Sequence, residues 1–201
     1  MNKFMLNETS YHGAGAITAV VDEIKARGFA KAFVATDPDL IKFGVAAKVT
    51  DLLDAAAIPY AVFSDIKPNP TIENVQNGVE AFKAAEADCI VAIGGGSRID
   101  CAKGIAAKAV HPRKKVSQLQ GLLKVHWPIP PFVAIPTTAG AGSETTVAAV
   151  ITDSATHRKA AINDPFLIPK YAVLDPELTV GLPPYTTATT GMDALAHAVE
   201  A

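Results

Sequence analysis

The stretch that decides the fold is CIVAIGGGSRIDCAK, residues 89–103. The apolar run CIVAI predicts a strand that is buried on both faces, and the residues after the glycines predict a helix. Gly94, Gly95 and Gly96 allow backbone amides to approach a ligand closely, and Ser97 is expected to open the helix. A phosphate placed there would meet unpaired N–H groups and the positive end of the helix dipole. A tight turn that needs glycine only for packing explains the loop about equally well.

Outward from this loop, short apolar runs alternate with longer amphipathic segments. This βαβα rhythm predicts an α/β fold with a mostly parallel sheet covered by helices on both faces. After residue 183 no further strand is predicted, which places a domain boundary there, between an α/β domain (1–183) and a helical start (184–201). The predicted strands are 32–36, 60–65, 89–95, 132–136 and 171–175, the predicted β-ribbon is 147–153 with 159–164, and the predicted helices are 19–28, 40–57 and 71–87.

Composition restricts the possible partners and location. The chain has 201 residues, of which 49% are hydrophobic and 19% charged, so it has enough apolar material for a sizeable core. A net charge of -2 and a pI of about 6.2 give no general reason to expect nucleic acid or an anionic membrane as a partner. No segment has the length of a membrane span or of a signal peptide, so a cytoplasmic location is expected. Cys89 and Cys101 are expected to be buried core thiols.

Two further loops follow apolar strands. Asp37 stands just beyond the strand at 32–36, where a carboxylate can hydrogen-bond ribose hydroxyls and repel a 2′-phosphate. It is equally suited to cap the helix that begins after Pro38. In IPTTAGAGSE (135–144), Thr137 and Thr138 offer donors beside small residues that permit close approach of a ring or phosphate, although an ordinary polar loop has the same composition. Three such loops at the ends of parallel strands predict one shared crevice.

The segment GMDALAHAVEA (191–201) places Asp193 and His197 four residues apart, on one face of a predicted helix. A carboxylate and an imidazole projecting together can hold a divalent metal, but two ligands leave most of the coordination shell empty. A structural hydrogen-bonded pair is the simpler interpretation when the segment is taken alone.

Six motifs taken together resemble the iron-containing (group III) alcohol dehydrogenases, and most closely their lactaldehyde reductase and 1,2-propanediol oxidoreductase branch. They occur in the family's order and span nearly the whole chain. They are LNET (6–9), PNPT (68–71), GGGSxxDxAK (94–103), PTTAGxGSE (136–144), ITD followed by RK (151–159) and TGMDALAHAVEA (190–201).

The resemblance implies a dehydroquinate-synthase-like fold, with a Rossmann-like α/β domain that binds NAD, followed by an all-helical domain. A divalent iron, for which zinc is a possible substitute, is implied in the cleft between the two. Asp193 and His197 match the first two metal ligands, and Asp37 favours NAD over NADP. The positions that match nucleotide contacts of the family are Asp37, Asn69, Gly94, Gly95, Gly96, Ser97, Thr137, Thr138 and Lys159, with Val150 and Leu178 as weaker apolar candidates.

The chain departs from the family pattern in three respects. Ala141 replaces a threonine, which removes a hydroxyl near the expected nicotinamide position. Arg98-Ile99 replaces the more common Pro-Ile or Pro-His. Family members are roughly twice as long, and their other two metal ligands are histidines of the helical domain, so we expect 184–201 to be the first helix of a truncated domain.

The resemblance therefore implies an NAD-dependent, metal-dependent alcohol dehydrogenase or aldehyde reductase for small substrates such as 1,2-propanediol and lactaldehyde. In this chain we expect the activity to be weak or absent, because two metal ligands are missing. The resemblance also suggests a homodimer in which the N-terminal strand (1–7) pairs across subunits. One alternative is a non-catalytic NAD-binding or oligomerisation module, and a second is a metal-dependent lyase of the dehydroquinate-synthase type, which shares the architecture.

Overall fold

A computed structural model describes residues 5–200, and its main feature is a six-stranded sheet. The strands lie in the order β1-β9-β6-β4-β2-β3, and every neighbouring pair is parallel. The predicted α/β class with a mostly parallel sheet is therefore confirmed. The strands of this sheet are β1 (Thr9–His12), β2 (Ala32–Ala35), β3 (Tyr60–Phe63), β4 (Cys89–Gly94), β6 (Phe132–Pro136) and β9 (Tyr171–Leu174).

A second, three-stranded sheet lies at one side of the fold, in the order β5-β8-β7. The pairing of β7 with β8 is antiparallel, as the predicted ribbon requires. The N–H of Thr152 donates to the carbonyl oxygen of Pro70 at 2.8 Å, so the ribbon is joined to the loop that follows β3. The strands are β5 (Gly121–Leu122), β7 (Ala148–Asp153) and β8 (Arg158–Asn163).

Local sequence signals set the ends of several helices. Thr71 caps α4 through a reciprocal pair of hydrogen bonds with Asn74, and Gly28 ends α1. The helices are α1 (Ala19–Arg27), α2 (Pro38–Lys42), α3 (Ala47–Ala55), α4 (Ile72–Ala84), α5 (Gly96–Ala109), α6 (Val116–Leu119) and α7 (Pro184–Glu200).

The single helix predicted over 40–57 is wrong, since the structure has two helices there, α2 and α3. Gly44 between them has a φ of +72°, a left-handed conformation that breaks the α-helical path and that glycine adopts without a steric penalty. The first of the two begins earlier than predicted, at Pro38, because the Asp37 carboxylate accepts a hydrogen bond from the N–H of Leu40 and so caps it.

The core consists of two apolar layers, one on each face of the large sheet. Helices α4, α5 and α6 and the second sheet cover one face, and helices α1 and α3 cover the other. Strands β2 and β4 are buried along their whole length, and this explains why their sequences are continuously apolar rather than alternating.

The two ends of the chain differ from the rest. Of the predicted N-terminal strand (1–7), residues 1–4 lie outside the described residues and 5–7 are not in a strand; the first strand is β1, which pairs with β9 at the edge of the sheet. Helix α7 begins next to the predicted boundary at residue 183, and none of its residues is buried. No helix of the described residues is long and apolar enough to cross a membrane.

Candidate nucleotide-binding site

The candidate site lies where the chain changes direction across the large sheet. From β2 the chain proceeds to β3 on one side, whereas β4 lies on the other side of β2 and leads on to β6. Strands β2 and β4 therefore flank a topological switch point, and open parallel sheets bind ligands at the carboxyl ends of such strands. A cleft of about 640 Å³ opens there, with Asp37 from the end of β2 and Gly95 from the end of β4 among its lining residues.

In the glycine loop a single residue, Gly95, separates the end of β4 from the start of α5. Helix α5 begins at Gly96, one residue earlier than the predicted start at Ser97, with Gly95 as its N-cap. No side chain caps it, so the first N–H groups of a 14-residue helix remain available at the cleft. A Cβ atom on Gly95 would lie 2.9 Å from Oγ1 of Thr138, and one on Gly96 would lie 2.9 Å from the Cβ of Ala141. The absence of side chains there keeps the loop open to a phosphate and close to the loop after β6.

Asp37 caps α2, which is one of the two roles that the sequence left open, and it also lines the cleft. Its side chain is only 2% exposed. Oδ1 accepts from the N–H of Leu40 at 2.8 Å, and Oδ2 accepts from Nε of Arg98. Arg98 lies in the first turn of α5, so this ion pair bridges the switch point from one strand end to the other.

Sequence reasoning noted Arg98 only as a departure from the family pattern and missed this contact. The stem of the arginine folds over the glycine loop, since a Cβ atom on Gly94 would lie 2.6 Å from the Cγ of Arg98. The signal that could have revealed the pair was charge complementarity: an arginine in the loop after one strand and an aspartate after its neighbour.

Asn69, Ser97 and Lys159 form a second polar group beside the cleft. The N–H of Asn69 donates to Oγ of Ser97 at 3.4 Å, and Nζ of Lys159 donates to Oδ1 of Asn69 at 2.7 Å. Asn69 has a φ of +56°, a left-handed conformation that asparagine tolerates better than most residues. Three residues from separate parts of the sequence are thus brought together in the folded chain.

The remaining predicted residues are divided between the cleft and its surroundings. Thr137, Thr138 and Leu178 line the cleft, and Leu178 reaches it from a short 3-10 turn that Asp175 caps. Val150 lies on β7, does not line the cleft and is partly exposed. The apolar part of the lining includes Leu40, Phe43, Val45, Leu182 and Pro183.

Two charged residues of α5 were not predicted as functional. Lys103 is fully buried, and its Nζ donates to the carbonyl oxygens of Thr146 and Ala148 at 2.6 and 3.1 Å. Burial lowers the pKa of Lys103 to about 8. Burial also raises the pKa of Asp100, whose Oδ2 accepts from the N–H of Val150 at 3.0 Å. These side chains attach α5 to the second sheet and so hold the glycine loop in place.

The predicted metal ligands lie on α7, next to the loop after β6. Nδ1 of His197 lies 2.9 Å from the carbonyl oxygen of Gly140. Because a carbonyl oxygen can only accept, Nδ1 carries the proton, and Nε2 is the nitrogen left to ligate a metal. Within residues 5–200 no group of three or more His, Cys, Asp or Glu side chains is close enough to hold a metal ion. Asp193 and His197 are therefore a pair of exposed candidate ligands.

Gly140 is the point of contact between this helix and the rest of the site. It has a φ of +93°, and a Cβ atom on it would lie 2.7 Å from the backbone carbonyl oxygen of Thr190. Only glycine fits at this position, both for its backbone conformation and for the closeness of α7.

The fold and the cleft define the chain as an α/β protein of the doubly wound class, with its ligand site at the carboxyl ends of parallel strands. The model of one family, described as iron-containing alcohol dehydrogenase, matches residues 7–176. The chain belongs to the iron-containing alcohol dehydrogenase family.

Named relatives and a solved structure agree with this assignment. The chain is 44% identical to lactaldehyde reductase of Escherichia coli (strain K12), over 99% of this chain and 52% of that protein. It is 41% identical to an NAD-dependent methanol dehydrogenase of Bacillus methanolicus, over 100% of this chain and 52% of that protein. The crystal structure of a 1,3-propanediol oxidoreductase superposes with a TM-score of 0.95 at 38% identity, over 99% of this chain and 52% of that one. The chain thus spans about half the length of the relatives it matches.

Proposed function

We propose that this chain provides the dinucleotide-binding part of an NAD-dependent, metal-dependent alcohol dehydrogenase or aldehyde reductase. The observation that carries the proposal is the cleft at the switch point, where Asp37, the glycine loop and Thr137-Thr138 converge. Membership of the family supports the reaction class, and one relative is named as NAD-dependent.

The residues present fit a dinucleotide. The uncapped N-terminus of α5 offers backbone N–H groups and a partial positive charge to a pyrophosphate. Thr137 and Thr138 offer hydroxyl groups beside the glycine loop, and Leu178 offers an apolar surface to a flat ring. Asn69, Ser97 and Lys159 supply further polar groups close to the glycine loop. Val150, outside the cleft, is the weakest of the proposed contacts.

Asp193 and His197 are the proposed ligands for a divalent metal, iron or zinc. Such a metal, when bound, supplies Lewis-acid polarisation of an alcohol or carbonyl oxygen. The carbonyl oxygen of Gly140 orients the imidazole through Nδ1 and holds it beside the loop that carries Thr137 and Thr138. Two side chains hold a metal weakly, so this chain by itself is expected to turn over alcohol slowly or not at all.

The substrate class that fits best is a small alcohol or aldehyde such as 1,2-propanediol or lactaldehyde, because a lactaldehyde reductase is a close relative in sequence. A homodimer formed near the N-terminus and a cytoplasmic location complete the proposal. Strand β1 supports the first of these, since it lies at an edge of the sheet where a further strand can pair.

A non-catalytic NAD-binding or oligomerisation module is the second candidate. It is favoured by the contrast between the well-formed nucleotide cleft and the exposed pair on α7. The lyase alternative receives less support, because the matched family and the relatives named above are oxidoreductases.

Calorimetric titration of the chain with NAD⁺, followed by measurement of NADH formation from 1,2-propanediol with added Fe²⁺ or Zn²⁺, tests the proposal. We expect NAD⁺ to bind and turnover to be far below that of an intact relative. The Asp193→Asn variant is expected to keep NAD⁺ binding and to lose whatever metal-dependent turnover remains. Failure of NAD⁺ to bind would overturn both candidates that involve the nucleotide, and turnover equal to that of an intact relative would overturn the expected weakness.

A further inference from the structure

We propose that Arg98 admits the 2′-phosphate of NADP to the cleft beside Asp37, so that this chain binds NADP as well as NAD. The inference rests on the proposed function, since it concerns the specificity of the same dinucleotide site. In dinucleotide-binding sheets, an acidic side chain near the adenosine ribose selects NAD, whereas a nearby arginine accommodates the 2′-phosphate of NADP. Here both residue types are present at the switch point, and they contact each other.

Charge is the first physical factor. Asp37 is almost completely buried, so an unpaired carboxylate there would repel a phosphate strongly through a poorly screened interaction. The guanidinium of Arg98 bonds directly to Oδ2 and cancels that charge at close range. The sequence alone predicts a preference for NAD because it places an acidic side chain after β2. In the folded chain this carboxylate is not free, since it is paired with Arg98.

The supply of free hydrogen-bond donors is the second physical factor. Arg98 uses Nε for Asp37, and no described residue accepts a hydrogen bond from its Nη1 or Nη2. A guanidinium presents its N–H groups as a planar fork that suits the oxygens of a phosphate, so these two nitrogens can bind an anion while Nε keeps its partner. The side chain is 21% exposed, so the free donors are accessible from the cleft that Arg98 lines.

Preorganisation of the Arg98 side chain is the third physical factor. The stem of Arg98 packs on the glycine loop at Gly94, and its head is fixed by Asp37. Because Arg98 is already ordered, binding of a phosphate there causes less loss of side-chain entropy than binding to a free arginine would. The two ends of the side chain are thus held by the two strand ends that flank the switch point.

The other charges of the cleft do not oppose the proposal. Asp39 and Glu177 also line it, but Asp39 and Glu177 are exposed and therefore screened by water and salt. Lys48 lines the same wall and donates to the carbonyl oxygen of Glu177 at 3.3 Å, which adds a second cation to the cleft.

The test is calorimetric titration of the full chain with NAD⁺ and with NADP⁺, read as the ratio of the two dissociation constants. The ratio isolates the 2′-phosphate, because both dinucleotides carry the same pyrophosphate. We expect NADP⁺ to bind within about tenfold of NAD⁺. In Arg98→Leu, which leaves Asp37 unpaired, the ratio is expected to shift against NADP⁺ by about tenfold or more, as the loss of charge-assisted hydrogen bonds implies.

Two variants make the result specific. Arg98→Lys keeps the charge but loses the fork, and its ratio is expected to lie between those of the wild type and Arg98→Leu. Arg113→Leu removes an exposed arginine beyond the far end of α5, so it changes the net charge equally and is expected to keep the wild-type ratio. Arg98→Lys also preserves a test of the ratio if Arg98→Leu fails to fold.

The outcomes separate this inference from the proposed function. Binding of NAD⁺ with NADP⁺ weaker by more than about a hundredfold would overturn the inference and leave the proposed function intact. Equal ratios in Arg98→Leu and Arg113→Leu would also overturn it, because the arginine would then bind nothing that distinguishes the two dinucleotides. If neither dinucleotide binds, the proposed function fails and the inference fails with it.

Discussion

The cleft between β2 and β4 and the helix α7 lie next to each other, yet they are built in opposite ways. Around the cleft, strands β2 and β4 are buried along their length, and Arg98 is hydrogen-bonded to Asp37 across the switch point. Helix α7 has no buried residue, and its large apolar side chains are solvent-exposed. It contacts the loop after β6 at Gly140.

The difference separates the two parts of the proposed chemistry. The residues proposed to hold the dinucleotide are positioned mainly by a sheet with its own two-layered core, although Thr186 of α7 also lines the cleft. The residues proposed to hold a metal are positioned by one helix with a small contact. We therefore expect α7 to open at a much lower free energy than the sheet, and each prediction below tests that contrast.

The largest effect is expected from a matched pair of leucines in helices. Leu53 of α3 is fully buried in the core, whereas Leu195 of α7 is 53% exposed. Leu53→Ala is expected to lower the free energy of unfolding by about 2–5 kcal/mol, and Leu195→Ala by no more than about 0.5 kcal/mol. Urea denaturation of both variants measures this. Similar losses in the two would mean that α7 is as well packed as α3.

The pH dependence of stability is expected to arise on the sheet side. The pKa of Lys103 falls to about 8 in the folded chain from 10.5, because burial disfavours its ammonium form. Between these two values the unfolded chain binds more protons, so the free energy of unfolding rises with pH. Below about pH 8 the contribution of Lys103 to the free energy of unfolding is constant. The rise is expected to approach about 3 kcal/mol.

Comparing Lys103→Met with the exposed Lys83→Met isolates this effect. Both variants keep the tyrosines that titrate at high pH, so the tyrosines contribute equally to the pH dependence of the two proteins. Denaturation is measured at about pH 8 and about pH 10. The Lys83 variant is expected to keep the wild-type change between the two, and the Lys103 variant to lose the rise. The same change in all three proteins would show that Lys103 stays charged throughout.

The contact between the two regions is tested at Gly140. Replacing it with alanine places a Cβ atom against the backbone of Thr190, in a conformation that alanine rarely adopts. Gly140→Ala is expected to lower the free energy of opening of α7 by about 1–3 kcal/mol, measured by hydrogen exchange of α7 amides. Gly142→Ala is the matched control, because its φ is also positive, at +62°, while the nearest atom lies at 3.9 Å. Equal exchange of α7 in the two variants would argue against Gly140 as the docking point.

The smallest effect is expected within α7 itself. Gly191 is exposed in the helix, and a Cβ atom there would meet nothing within 4 Å. Gly191→Ala is expected to stabilise α7 by about 0.5–1 kcal/mol through helix propensity alone, seen as slower exchange of its amides. Exchange of β4 amides serves as the internal control and is expected to stay unchanged. Slower exchange in both would show that α7 unfolds together with the sheet.

The sequence predicted the parts of this fold that depend on short-range patterns. The continuously apolar runs identified β2, β4 and β6, because strands buried on both faces need no polar alternation. The helix predicted over 71–87 has the expected start, since Thr71 is the N-cap of α4. The pattern failed over 40–57, since a single glycine in a left-handed conformation splits an otherwise helical segment. The short edge strand β1 has no apolar run and was not predicted.

The candidate site shows the same division. The sequence by itself determined which residue types stand at the strand ends, because glycine, aspartate and threonine at those positions follow from local conformation and chemistry. Only the tertiary structure decided which of them meet. The strand order places β2 beside β4, although 53 residues separate Ala35 from Cys89, and Arg98 therefore reaches Asp37. The fold also brings Lys159 to Asn69, which is 90 positions earlier in the sequence. Such pairings depend on sheet topology, which no local pattern encodes. Charge complementarity could suggest the ion pair behind the proposed nucleotide specificity, but only the folded chain establishes it.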